Sequence, residues 1–224
     1  MRPNTILVLG DGPHELGTAY DVALGPADLP ALPCLVHRLM GNPDQVVFTC
    51  RRFKNVDHHF AGPGFGHNYK KQVIVAVREA KKAGHAALVI LIDRDRRDND
   101  DTIAPLKAGR DAEAKPGAPA CAVGVAVETF DAWMIVDGLA IGKAGGDASK
   151  PHSDPENLDG KERSGQHPKD RAQIVLGEDG LAEKYKVIAR HARLELLEEC
   201  CPAGFAPFAE EIRERVLPTV SRSE

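Results

Sequence analysis

Four strand-like runs, mostly apolar, divide the chain: TILVL (5–9), QVVFTCRRF (45–53), AALVILI (86–92) and ACAVGVAV (120–127). Each is short, rich in β-branched residues and followed by a turn signal or a change of period, the signature of a strand buried on both faces. Between them the spacing becomes helical. In NYKKQVIVAVREAKKAG (68–84), Val73, Val77 and Ala80 share a face, and Gly84 supplies the stop. HELGTAYDVAL (14–24) predicts a helix that Gly17 weakens. Another is expected around PCLVHRLM (33–40), one around DTIAPLKAGRDAEA (101–114) whose start Pro105 limits, and one from Phe130 onward. The stretch 142–168 is dense in Gly, Pro and Asp and predicts a loop or partial disorder. Helical segments close the chain at 169–180, 184–200 and 206–217.

Strands alternating with helices predict an α/β fold with a mostly parallel central sheet, helices on both faces, and C-terminal helices. Residues 1–140 form the expected α/β domain. Residues 141–224 form a polar loop and a helical extension packing on it.

Composition narrows the partners. The 224 residues carry a net charge of −4, so binding to nucleic acid must rest on a local patch or on metal ions rather than a global basic field. Aromatics make up only 5%, so Val, Leu, Ile and Ala build the core. The cysteines (34, 50, 121, 200, 201) contain no CxxC pair and read as reduced thiols of a cytoplasmic protein. The opening apolar run is too short for a signal peptide, and no run approaches a membrane span.

The acids then change the picture. AALVILI ends in DRD, so Asp93 and Asp95 point to one side of the strand and Arg94 to the other. Like charges so placed repel unless protons or a cation intervene, and Mg2+ prefers a few carboxylates plus water. The first strand ends in GDGPHE, with Gly12 allowing a tight turn, Asp11 after the strand and Glu15 one turn on. In a parallel sheet, sites form at the carboxyl ends of strands. If the two strands are neighbours, Asp11, Asp93 and Asp95 form a three-acid metal pocket, with Glu15 an additional ligand or base. Asp98 and Asp100 read as loop solvation or helix capping.

An apolar strand ending in LGDGPHE and a later one ending in LVILIDRD resemble the Toprim domain of topoisomerases, bacterial primases and the overcoming-lysogenization-defect nucleases. Asp11 stands where that family usually has Glu, and Glu15 matches the second acid of the nuclease branch. VETFDAWMIVD, DPENLDGKE, HPKDRAQIVL and ARLELLEECCPAGFAPFAEEI resemble a Toprim-like group of uncharacterised prokaryotic proteins found beside ATPases in defence loci. The resemblance implies a Mg2+- or Mn2+-dependent nuclease of an antiviral defence or mobile-element module. Asp11, Glu15, Asp93 and Asp95 would be metal ligands and Lys169 of HPK a further catalytic group; Glu128 joins the candidates because it sits at the end of the fourth strand, near the pocket. Nucleic acid and an ATPase are the implied partners, with self-association open.

The residues leave other readings standing. Asp131 suits a helix cap and Asp137 is an extra acid, while Trp133 suits the core. Lys161, Lys169, Arg51, Arg52, Lys54, Lys70 and Lys71 are candidate phosphate contacts, and His58 and His59 are adjacent and cannot share a ligand face. GPGFGHNYKK lacks a P-loop ending, and no GxSxG elbow occurs. Against the nuclease stand a non-catalytic partner subunit of an ATPase and a nucleotide-binding protein.

Overall fold

The computed structural model describes residues 4–56, 68–94, 99–158 and 163–220. His58, His59, Asp95, Asp98 and Lys161 lie outside them, as does the side chain of Asp100.

Five strands form one sheet: β1 (Asn4–Gly10), β2 (Ala23–Leu24), β3 (Val46–Arg52), β4 (Ala87–Asp93) and β5 (Ala120–Ala126). Their spatial order is β2-β3-β1-β4-β5, with only β2 antiparallel. The four apolar runs are the four parallel strands, and the sheet is α/β as the pattern predicts. Between β1 and β3 lie α1 (Pro13–Leu16) and α2 (Ala31–Leu39). Helix α3 (Tyr69–Ala83) joins β3 to β4, and α4 (Asn99–Ala112) joins β4 to β5. The chain therefore winds one way from β1 and the other way back to β4, which makes the β1/β4 junction the topological switch point.

The remaining helices are α5 (Asp131–Met134), α6 (Gly138–Lys143), α7 (Pro168–Leu176), α8 (Leu181–His191), α9 (Leu194–Cys200), α10 (Phe205–Glu211) and α11 (Leu217–Val220), with a π turn over Ile212–Val216. One face of the sheet buries Ile6, Val8, Val89 and Ala122 against α2 and the C-terminal helices, down to Val220. The other buries Leu7, Leu9, Ile90 and Val123 against α3 and α4. Alternation along each strand sends successive residues to opposite layers.

Several expectations shift. The helix over 14–24 ends at Leu16, and Ala23–Leu24 pair as an edge strand instead. Pro105 sits inside α4 rather than limiting its start. The stretch 142–168 includes the end of α6 and a 3-10 turn at Pro155–Asn157. The 184–200 segment is two helices, because the Arg193 N–H leaves the helical ladder for the Asp137 carboxylate (2.9 Å). All five cysteines are free thiols.

Gly124 shows how closely the C-terminal helices press on the sheet. A Cβ there would lie 2.5 Å from a Phe208 ring carbon. Phe208 in turn stacks on Trp133, with centroids 5.7 Å apart. Gly124→Ala should cost ~1–3 kcal/mol through overpacking, read as a lower urea midpoint with an unchanged slope.

Candidate functional site

Asp11 and Asp93 meet at the switch point. β1 and β4 are hydrogen-bonded neighbours, with Leu9 opposite Ile90, so the residues following them emerge side by side. The Asp93 N–H donates to Asp11 Oδ2 (2.8 Å). The Asp93 carboxylate accepts the Phe130 N–H (2.8 Å), which ties β4 to the loop after β5.

Glu15 folds back beneath them. Its Oε2 accepts the N–H groups of Asp11 (2.8 Å) and Gly12 (3.0 Å). Gly10 permits this: a Cβ there would lie 2.8 Å from Glu15 Oε2. The glycine that matters is therefore Gly10, while Gly12 is extended (φ −142°) and opens α1. From the next strand, Arg52 donates to the Asp11 carbonyl through Nε (3.1 Å) and Nη2 (2.9 Å), fixing the turn.

A fourth acid joins from α5. The Asp131 carboxylate accepts the Tyr185 hydroxyl, and His14 meets the Tyr185 ring edge-on at 5.6 Å. Asp131 therefore bonds a buried phenol rather than acting as a side-chain cap. Glu15, Asp131 and Tyr185 are buried, whereas Asp11 and Asp93 are partly open to solvent, so the group has a floor and a mouth.

Burial and mutual repulsion govern the protonation. Desolvation, with the nearby Asp11 and Asp131 charges, pushes the Glu15 carboxyl up to about 8, against the two backbone N–H groups that lower it. Asp93 is held well above the usual carboxylate range by burial first, then by Glu15, Asp11 and Asp131. The Tyr185 hydroxyl is raised by burial and by the same acids, so it stays a donor. Tyr185→Phe should cost ~1–3 kcal/mol, because Asp131 keeps its burial and loses its donor. Thermal unfolding would read that loss.

The other candidates are placed differently. Glu128 adopts a left-handed backbone (φ 60°) just after β5, and its carboxylate pairs with Arg94. Lys169 is the second residue of α7, half-buried, and its N–H donates to His167 Nδ1 (3.3 Å). Asp137 is taken up elsewhere, capping α6 through the Leu139 N–H (3.0 Å) and pairing with Arg193 (2.9 Å). Arg51 pairs with Asp21 (2.7 Å) and Glu79 (2.8 Å). Tyr185 is the residue that sequence reasoning missed. Its signal was its place on the apolar face of α8 with Leu181 and Ile188, where a phenol must find a partner.

The donor set consists of carboxylates, the chemistry of a hard divalent cation. Two buried polar atoms flank it in sequence without a hydrogen-bond partner among the described residues, Arg94 Nε and the Thr129 hydroxyl. Among the described residues, no three His, Cys, Asp or Glu side chains are grouped as a metal centre. No helix among them is long and apolar enough to cross a membrane. No family model, curated protein or solved structure matches the chain.

Proposed function

We propose that the chain is a Toprim-like, Mg2+- or Mn2+-dependent phosphodiesterase acting on nucleic acid. The observation that carries this reading is the carboxylate group Asp11–Glu15–Asp93–Asp131 at the switch point, where burial and mutual repulsion raise the Glu15 and Asp93 carboxyls and a cation would relieve the repulsion. Asp11 and Asp93, at the mouth, are the ligands offered to solvent; Asp95 and Glu15 complete the proposed set. A bound divalent ion there would supply charge neutralisation at a phosphate and an activated water. Arg52 fixes the Asp11 backbone through its carbonyl, the Phe130 N–H holds the Asp93 carboxylate, and Arg94 Nε is a donor suited to a phosphate oxygen. Of the remaining roles, Glu128 as a further acid rests on its place just after β5. Lys169 as a phosphate contact, and cytoplasmic work beside an ATPase in a defence module, rest on the resemblance.

A second reading has its own observation. The acids already satisfy one another through the Asp93, Phe130, Asp11 and Gly12 N–H groups and the Tyr185 hydroxyl, so the site holds together as a partly protonated network. That arrangement suits a non-catalytic subunit. Calorimetric titration with Mg2+ and Mn2+, run with incubation on plasmid, single-stranded DNA and RNA, separates the two. The nuclease reading expects metal binding and cleavage that both disappear in Asp11→Asn. Cleavage unchanged by that substitution defeats the site, and a wild type that binds no metal and cuts nothing favours the subunit.

A further inference from the structure

The open edge of the sheet carries a site unrelated to the acids. In β5, the Ala120 N–H bonds to the Ala86 carbonyl and the Ala126 carbonyl accepts the Arg94 N–H, so even-numbered residues turn their amides to β4. Odd-numbered residues therefore turn theirs outward, away from the sheet. The N–H and C=O of Val123 face outward, and no hydrogen bond satisfies them among the described residues. Val123 is nonetheless buried, and an unpaired buried amide is a cost that native structures rarely carry without a partner.

What lies over that edge is a cavity of about 220 Å3 rather than packed side chains. Ile103 and Lys107 of α4 form one wall, and Phe208 of α10 forms the other. The groove is stopped at both ends. At the Val125 end, Gly204 lies so close that a Cβ would sit 3.0 Å from the Val125 carbonyl, and Glu156 pins that turn through the Gly204 N–H (2.8 Å). At the Cys121 end, Arg110 of α4 reaches Glu211 of α10 (2.6 Å), bridging the two walls. Both charges bear on the Cys121 thiol, which places the bridge there.

A groove floored by an unpaired strand edge calls for an extended backbone, and its closed ends suit a chain terminus better than a strand running through. A chain antiparallel to β5 runs from the Gly204 end toward the Arg110 end and would bring its C-terminus to Lys107. Lys107 is exposed and forms no ion pair within 4 Å among the described residues; its charge acts on Asp111 one turn on, whose carboxylate is held by Arg110 (2.7 Å). Glu211 does not oppose an incoming carboxylate strongly, because Arg110 and Arg215 both pair with it.

We propose that this groove binds the C-terminal residues of a partner polypeptide. They extend beside β5, pair with the Val123 amide, and place the terminal carboxylate at Lys107. Strand addition supplies the affinity, and capture of the carboxylate supplies the selection for a chain end. The probe is a synthetic peptide of alternating serine and valine with a free C-terminal carboxylate, titrated against full-length protein while the amide resonances of Val123, Gly124 and Val125 are followed. These resonances should shift, and Val123 N–H exchange should slow. Amidation of the peptide should weaken binding about ten-fold, and Lys107→Glu, an exposed position that leaves the fold intact, should do the same. The proposal is overturned by an absence of shifts at millimolar peptide, by equal binding of the amidated twin, or by the same shifts with sodium acetate alone.

Discussion

Asp93→Asn should abolish metal-dependent cleavage and, in the same protein, raise the stability of the metal-free fold near pH 8. The two effects share one cause. Asp93 is half-buried beside Glu15, Asp11 and Asp131, and desolvation together with those acids holds its carboxyl well above the ordinary range. Near pH 8 its ionisation is opposed by those neighbours, and the amide removes that opposition while its oxygen still accepts the Phe130 N–H. The expected sign is a gain, read as a higher thermal midpoint in EDTA at pH 8. Activity should fall about 100-fold or more, since a ligand to the proposed ion is lost. Asp93→Ala provides the contrast: it removes the charge but also orphans the Phe130 N–H, so most of the gain should vanish. An Asn variant that is less stable than the wild type in EDTA at pH 8 would remove the repulsion argument, and one that still cuts would remove the site.

The juxtaposition of Asp11 and Asp93 was legible because strands buried on both faces announce themselves as unbroken apolar runs, and TILVL and AALVILI are such runs. That β1 and β4 are neighbours follows from the doubly wound connection, in which the chain reverses direction across the sheet. The short strand β2 was not legible, since Ala23–Leu24 is too brief to show a period and is set by pairing with Thr49 and Phe48. Other features depend on partners remote in sequence. Asp131 sits where a helix cap is expected, and only the arrival of Tyr185 from α8 makes it a member of the acid group. Asp137 looked like a spare acid, yet its capture of the Arg193 backbone is what divides α8 from α9. Composition gives the types of residue available, but a carboxylate becomes a cap, an ion pair or a ligand according to which donor the fold brings to it.

Glu15 makes the pH dependence of the metal-free protein run opposite to that of most paired carboxylates. Its folded value is about 8, above the 4.5 of the unbonded side chain. Between those limits the folded state binds the extra proton, so stability falls as pH rises, with a slope approaching ~1.4 kcal/mol per pH unit for this one group. Stability from this source is therefore fully present below pH 4.5 and is progressively lost toward pH 8. Thermal midpoints in EDTA should decline across that window. Glu15→Gln should flatten the curve, because one amide oxygen can still accept the two N–H groups that Oε2 now holds. Mg2+ should oppose the decline most strongly at the alkaline end, where binding no longer has to displace the proton. Titrations near pH 7 in buffers of different ionisation enthalpy should then show proton release on metal binding. Midpoints that rise from pH 5 to pH 8 in EDTA would mean that Glu15 is ionised in the fold. A midpoint indifferent to Mg2+ at pH 8 would leave the acids as a self-bonded network and favour the non-catalytic subunit.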